Sequence, residues 1–152
     1  MHNFQVVTMG LPATSAEWFR AANAPESELP ALTEKQKLNA LAFHRTEQDY
    51  SRGSLLLRKY AREREEREGH LLGGHVVELL AELGKDYQLH TVARRGADPG
   101  WHLLVEHRGE RVWDLYYGPE VIEEVADPKR LLGFREQFFR SLGRPDALQA
   151  AS

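Results

Sequence analysis

The stretch from Thr46 to Leu83 constrains the fold more than any other part of the sequence, because it predicts one very long helix. Thr46 and Asp49 resemble a capping box, in which a hydroxyl accepts from an unpaired backbone N–H and a carboxylate meets the positive end of the helix dipole. Apolar residues then recur with the 3.6-residue period of a helix from Leu57 to Leu83. Gly84 follows as a natural stop.

The length of this helix limits how it fits into a small domain. From Thr46 to Leu83 it would span about 56 Å, whereas a compact domain of this size has a radius of gyration of about 15 Å. A straight helix would therefore extend beyond the globule and be expected to meet a partner chain. A bend at Gly69, Gly73 or Gly74 would instead let another element approach the helix backbone closely. We expect a long helix that bends near Gly69 to Gly74.

The middle of the same helix is strongly charged. Residues 62–68 read REREERE and offer pairs of opposite charge four residues apart, each of which stabilises a helix by about 0.2–0.5 kcal/mol. Such a run is typical of a solvated helix surface. Arg64 and Glu68, within the run, are candidate contacts for a partner chain.

Composition excludes several classes of protein. The chain has 152 residues, 41% hydrophobic and 28% charged, which is typical of an ordinary globular protein without a transmembrane helix. We expect a cytoplasmic protein, since its first residues do not resemble a secretory signal. The sequence contains no cysteine, which excludes disulfides, thiolate nucleophiles and sulfur-ligated zinc.

The histidines do not predict a metal site. His70 and His75 are five positions apart and would lie about 140° apart on a helix, whereas helical metal pairs use a spacing of four. His102 and His107, five apart on a strand, would point to opposite faces. We therefore expect neither a metal nor another cofactor.

Residues 1–32 are predicted to be an arm and residues 33–152 a single domain. Thr14 and Glu17 indicate a capping box for a helix over residues 15–23, whose Trp18 and Phe19 would dock on this chain or on a neighbour. A second capped helix is predicted over residues 34–43. Thr33 and Gln36 form its predicted capping box. Leu38, Leu41 and Ala42 form its predicted inward face.

After Gly84 the period of the sequence changes from 3.6 to 2, which predicts an α+β fold. We expect an antiparallel sheet of about three strands packed with one face on the long helix, followed by two short helices that start with proline. The strands are predicted at 87–93, 101–107 and 111–117, and the helices at 119–126 and 128–142. An apolar stripe on the last helix predicts core packing for Leu131, Leu132, Phe134, Phe138, Phe139 and Leu142.

The hairpin formed by the last two predicted strands has two faces of different character. Alternation separates Trp113, Leu115 and Tyr117 from Val112, Asp114 and Tyr116. Since Asp114 indicates which face of the hairpin is turned to solvent, we expect Trp113 and Leu115 in the core and Tyr116 exposed. Two registers are open: a loop at 107–109 pairs His102 with Asp114, and a loop at 108–109 pairs His102 with Leu115.

Three functions are compatible with these features. The favoured one is a non-catalytic interaction module, a subunit or adaptor that binds another chain or a second copy of itself; its candidate contacts are Trp101, Tyr116, Arg64, Glu68, Trp18 and Phe19. The second is binding of RNA or single-stranded nucleic acid, by aromatic stacking and by phosphate contacts from Arg94, Arg95, Arg108 and Arg111. The third is a small hydrolase built on His102, Asp114 and Glu106.

Overall fold

The computed structural model of the protein describes residues 4–8, 14–43, 52–95 and 98–144. The chain divides into two compact units, which we name the helical unit (residues 10–64) and the sheet unit (residues 1–9 and 65–152). The predicted division after residue 32 into an arm and a single domain stays a prediction. Because the sheet unit contains both the first residues and the last ones, the helical unit is an insertion in its chain.

The helical unit begins with two short helices, α1 at Ser15–Ala22 and α2 at Glu34–Ala42, with a 3-10 turn at Glu26–Glu28 between them. Both predicted capping boxes are present. Thr14 N donates to Glu17 Oε1 (2.8 Å) and Glu17 N to Thr14 Oγ1 (3.2 Å). The box of α2 has the same two distances. Reciprocal capping of this kind satisfies two unpaired donors at each start and explains why both helices begin where the sequence predicts.

Helix α3 spans Arg52–Leu83 and belongs to both units. Its helical structure continues through Gly69 to Gly74. The predicted start at Thr46 lies outside the described residues. The helix ends where predicted, since Gly84 adopts a left-handed φ of 112°, which favours glycine.

Two glycines of α3 explain how the first strand of the sheet unit reaches this helix. A Cβ at Gly69 would lie 2.6 Å from Val6 Cγ1, and one at Gly73 would lie 2.4 Å from the Phe4 ring. Each glycine costs about 1 kcal/mol relative to alanine in a helix interior. Here that cost allows the first strand to approach the helix backbone closely, an approach that the sequence predicted together with a bend.

The sheet has four strands in the order β1-β2-β3-β4, at Gln5–Val7, Tyr87–Ala93, Trp101–His107 and Arg111–Tyr117. The three antiparallel strands have the predicted bounds. The fourth strand, β1, runs parallel to β2 and pairs Gln5 with Thr91. The sequence of residues 4–9 is compatible with a short strand, but so short an alternation does not indicate which strand it would pair with.

The register of the β3–β4 hairpin differs from both predicted ones. His102 lies opposite Tyr116, and the strands close at His107 and Arg111, so the loop is three residues long and occupies 108–110. Arg108 and Gly109 both have positive φ, 55° and 71°, and Glu110 N donates to His107 O (3.0 Å). His102 therefore pairs two residues beyond Asp114 and one residue beyond Leu115, its partners in the two predicted registers.

Two helices complete the sheet unit: α4 at Val121–Ala126 and α5 at Pro128–Ser141. Asp127 caps α5 by accepting from Lys129 N (3.0 Å). The aromatic stripe of α5 joins the core with the sheet and α3, as predicted, except that Leu132 is 71% exposed. The most deeply buried members of this core are Leu72, Val76, Val92, Trp101, Leu103, Val105, Phe138 and Phe139.

Candidate interaction surfaces

Helix α1 presents its two aromatic side chains to solvent. Trp18 is 60% exposed and Phe19 is 73% exposed, whereas Ala21 is the buried residue of the helix. Both aromatics were predicted to dock somewhere. Exposed Trp and Phe side chains of this size are typical anchors of protein interfaces.

Helix α2 has the same character, and here the sequence prediction was wrong. Leu38 and Leu41, predicted to face inward, are 64% and 75% exposed, and Phe43 at the end of the helix is 73% exposed. Ala40 is the buried residue of α2. The apolar period of this helix is real, but no described element covers the stripe of Leu38 and Leu41.

The helical unit has a small core beneath these exposed residues. Ala21, Leu56, Leu57 and Tyr60 form it, and the Arg20 guanidinium lies 3.8 Å from the centre of the Tyr60 ring. The first part of α3 therefore supplies most of the buried apolar side chains of the unit. The exposed apolar side chains of α1 and α2 are larger than most of those that the unit buries.

Arg64, a predicted interface contact, forms an ion pair inside the helical unit. Its Nη1 lies 2.7 Å from Glu17 Oε1, and both side chains are largely buried, about 14% and 13% exposed. Glu17 also caps α1, so this one carboxylate connects α1 to α3. Arg64 therefore stabilises the unit rather than presenting a free charge to a partner.

The outer face of the sheet carries the exposed side chains of β4. Val112 and Tyr116 are each 51% exposed, Tyr117 is buried, and Trp113 and Leu115 are partly buried against the core. The predicted division of the hairpin into two faces is confirmed. Trp113 lies at the margin of the core rather than in its centre.

Tyr116 is held in place by a carboxylate in the loop before β3. Its hydroxyl donates to Asp98 Oδ1 (2.9 Å), which also accepts from Gly100 N (2.8 Å). The hydrogen bond from Gly100 N has the largest effect on the pKa of Asp98, and together with the bond from Tyr116 it lowers that pKa. The bond to Asp98 raises the pKa of Tyr116. A fixed aromatic ring loses little side-chain freedom on binding, which suits it to an interface.

His102 and Asp114 do meet, although they are diagonal neighbours and not a directly opposed pair. His102 Nδ1 lies 3.3 Å from Asp114 Oδ1, and Arg95 Nη1 lies 2.7 Å from Asp114 Oδ2. Burial raises the pKa of Asp114, but the hydrogen bonds from Arg95 and His102 outweigh it and lower that pKa. Asp114 also pairs with Arg95, and Glu106 lies four residues beyond His102 along β3. The cluster is therefore typical of a surface ion-pair network.

Two residues predicted to lie on binding surfaces are in the core of the sheet unit. Trp101 is fully buried and was wrongly predicted to be a surface anchor. Arg94, predicted to contact phosphate, is 6% exposed and lies over the Trp101 ring at 4.3 Å. Its Nη1 is 3.3 Å from Glu65 Oε1 and its Nη2 is 3.5 Å from Glu68 Oε2. Glu68, another predicted interface contact, therefore forms an ion pair within the sheet unit.

Glu65 is fully buried, although it belongs to the charged run that predicted a solvated surface. A signal for this burial is present in the sequence. Counting in helical periods from Ala61, position 65 falls on the same stripe as Leu72 and Val76, and both of these are fully buried. A carboxylate on an apolar stripe requires a cation, and Arg94 provides it.

The remaining arginines do not form a phosphate-binding surface. Arg108 Nη2 lies 2.7 Å from Asp86 Oδ2, and the Arg111 guanidinium lies 4.5 Å from the centre of the Trp113 ring. With Arg94 in the core and Arg95 on Asp114, the four candidate arginines point to different parts of the sheet unit. Three of them are neutralised by carboxylates, which weakens the nucleic-acid hypothesis.

Within the described ranges, no group of three or more histidine or acidic side chains is arranged to hold a metal ion. Across the same part of the chain, no helix combines the length and the apolar character that crossing a membrane requires. Comparison with protein-family models, with curated proteins and with solved structures finds no match to this chain.

Proposed function

We propose that this protein is a non-catalytic interaction module, a subunit or adaptor of a larger cytoplasmic assembly, and that the helical unit carries its main binding surface. The observation that supports this proposal is the exposure of five large apolar side chains on α1 and α2. They are Trp18, Phe19, Leu38, Leu41 and Phe43. Large exposed apolar side chains, when they form a contiguous patch, mark binding sites on soluble domains, and we take those of α1 and α2 to do so.

The chemistry of the surface indicates another protein chain as the partner. Trp and Phe are enriched at protein interfaces, and a leucine stripe three residues apart is the pattern with which one helix packs on another. Tyr116 and Val112 on the outer face of the sheet unit are additional contacts, and Tyr116 is already fixed by Asp98.

A matched pair of surface variants tests the proposal. Leu38→Ser/Leu41→Ser removes the stripe of α2, and Leu132→Ser makes the same change at a leucine of similar exposure on α5. Wild type, isolated from its native cells and analysed by sedimentation velocity, should migrate as a complex or as a self-associated species. The double variant should migrate as the lone chain, and Leu132→Ser should behave as wild type.

Two results would contradict the proposal. One is a wild-type chain that stays monomeric from about 1 µM to 100 µM and is recovered alone from native cells. The other is an association that both variants retain, because the stripe of α2 would then contribute nothing to it.

A further inference from the structure

Arginine side chains lie over aromatic rings at five places among the described residues. At two of these places a carboxylate also pairs with the guanidinium. They are Arg94 with Trp101 and Glu65, and Arg135 with Phe139 and Glu82. The guanidiniums lie 4.3 Å and 4.9 Å from the ring centres, and 3.3 Å and 2.9 Å from the carboxylate oxygens. A ring face together with a carboxylate is therefore an arrangement with which this protein already holds an arginine.

Tyr116 brings the same two constituents together on the outer face of the sheet. Its side chain is 51% exposed, and its ring packs against the backbone of Gly100, where a Cβ would collide with the ring and the hydroxyl. The hydroxyl donates to Asp98 Oδ1 (2.9 Å). Asp98 therefore fixes the ring and places a carboxylate at its edge.

A second carboxylate adds negative charge beside this ring. The Glu120 carboxylate lies against Gly118, two residues after Tyr116, where a Cβ would meet both of its oxygens. The hydrogen bond to Asp98 has the largest effect in raising the pKa of Tyr116, and the charge of Glu120 adds to it. We name Tyr116, Asp98 and Glu120 together the Tyr116 site. It combines an exposed, fixed ring with two exposed carboxylates.

The described cations of the chain do not neutralise the Tyr116 site. Arg95, the arginine of the same loop, pairs with Asp114 instead. Among the described residues, no lysine or arginine forms an ion pair with Asp98 or Glu120. This statement covers every lysine and arginine of the sequence except Arg45, which lies outside the described residues.

We propose that the Tyr116 site is a docking point for an arginine side chain of a partner protein. The guanidinium stacks on the Tyr116 ring and donates to Asp98 Oδ2, since both hydrogen bonds that the carboxylate accepts within the chain go to Oδ1. Glu120 adds to the attraction for the positive charge. The inference rests on the proposed function, of which Tyr116 is one additional contact, and names the chemical group that this contact recognises.

The site suits arginine better than other cations. A guanidinium is planar, so it can stack on a ring while its N–H groups donate sideways to a carboxylate, and Asp98 lies at the edge of the Tyr116 ring. A lysine ammonium is a compact, strongly hydrated charge and gains less from the ring. The two internal sites described above hold arginine in both cases.

The binding test is an NMR titration of the full-length protein with a short peptide. The peptide carries one arginine between glycines and serines and has blocked ends. The backbone amide signals of Gly100, His102 and Tyr116 should shift, with a dissociation constant of about 1–10 mM. The same peptide with citrulline, the neutral isostere of arginine, should not shift them. A lysine peptide should bind at least about threefold more weakly.

Protein variants locate the site. Tyr116→Leu removes the ring and should weaken binding of the arginine peptide at least about threefold. Glu120→Gln removes one charge from a side chain that makes no capping hydrogen bond in α4, and should weaken binding about twofold to fivefold. Val112→Ala changes a residue of β4 with the same exposure as Tyr116 and should leave the affinity unchanged.

The double variant Leu38→Ser/Leu41→Ser should bind the arginine peptide as wild type does. Loss of native association in that variant with intact peptide binding separates the two sites, so failure of this inference is distinguishable from failure of the proposed function. Wild-type affinity in both Tyr116→Leu and Glu120→Gln would overturn the inference.

Three further results would also overturn it. One is equal binding of the citrulline peptide, because the site would then not recognise the charge. Another is the absence of saturable binding up to about 50 mM peptide. The third is a shift of the Gly100, His102 and Tyr116 signals with protein concentration alone, because the arginine would then come from a second copy of this chain and not from a partner.

Discussion

The helical unit leaves Trp18 and Phe19 in solvent, whereas the sheet unit buries Trp101 and the phenylalanines of α5 almost completely. The ion pairs of the two units also differ in burial. Arg94 meets a fully buried Glu65, while Arg64 and Glu17 keep some contact with water. The sheet unit thus uses its large and charged side chains to stabilise itself. The helical unit uses fewer of them for that purpose.

The difference indicates which unit gains more stability from its own packing and which unit suits the proposed binding. Burial of apolar surface contributes about 25 cal/mol for each Å², so the sheet unit gains most from its own packing. The exposed apolar side chains of the helical unit contribute little until another surface covers them. The same residue types therefore stabilise one unit and remain available for association in the other.

The largest expected effect compares two tryptophans. Trp101→Ala opens a cavity in the core of the sheet unit and should lower the free energy of unfolding by about 3–5 kcal/mol. Trp18→Ala should change it by less than about 0.5 kcal/mol, as for other surface substitutions. Urea denaturation of both variants checks this, and equal losses would abolish the distinction between the units.

The two ion pairs provide the next comparison. Arg94→Met leaves Glu65 buried without its cation and should cost about 3–5 kcal/mol, whereas Glu17→Ala should cost about 1 kcal/mol through its cap and its pair. Thermal unfolding measures both. The double variant Arg94→Met/Glu65→Leu should recover much of the loss, since a buried pair is often replaceable by apolar side chains. No recovery would mean that Arg94 acts mainly through Trp101.

Alkaline pH should destabilise the sheet unit mainly through the buried phenol of Tyr117. Burial raises the pKa of Tyr117 to about 12, against about 10 in an unfolded chain. The stabilising contribution is complete below pH 10 and is lost as the pH rises to about 12, because the unfolded state releases its proton first. The loss should reach about 2–3 kcal/mol. Tyr117→Phe, which cannot titrate, should show a correspondingly flatter alkaline denaturation profile.

The smallest effect concerns the outer face of the sheet. The pKa of Asp114 is lowered in the folded state, so its contribution is present above about pH 4, the unfolded value, and is lost as the pH falls through the lower folded value. Since the pair with Arg95 is about half exposed, Asp114→Asn should remove only about 0.2–1 kcal/mol of this acid dependence. Arg95→Gln should remove a similar part, and an unchanged acid profile in both would contradict the assignment.

Strong local signals predicted the secondary structure well. The capping boxes of α1 and α2 depend on residues three apart, and the hairpin strands carry long alternations, so both are determined by neighbours in sequence. The faces of β4 followed from Asp114 alone. The register of the hairpin was not predictable, because two loop residues, Arg108 and Gly109, have positive φ. Of these two, only the glycine is a residue type that indicates such a conformation in a sequence.

Long-range pairing and the absence of a covering element were not predictable. The apolar stripe of α2 has the same appearance in the sequence whether or not another surface covers it, so Leu38 and Leu41 were placed inward. Burial of Trp101 and Arg94 depends on the approach of residues 65–69 of α3, more than twenty residues earlier in the chain. Glu65 is the exception, since its helical phase with Leu72 and Val76 was readable from the sequence.

The position of β1 has a consequence for synthesis on the ribosome. Gln5 is translated long before its partner Thr91, so β1 has to wait until the whole of the helical unit and the part of the sheet unit from residue 65 to residue 93 have been translated. Domains generally fold in the order in which they emerge. Here the inserted unit can fold while the sheet unit still lacks its strands, and its apolar helices are available to chaperones or to a partner during that interval. Binding in the proposed assembly can therefore begin before the sheet exists.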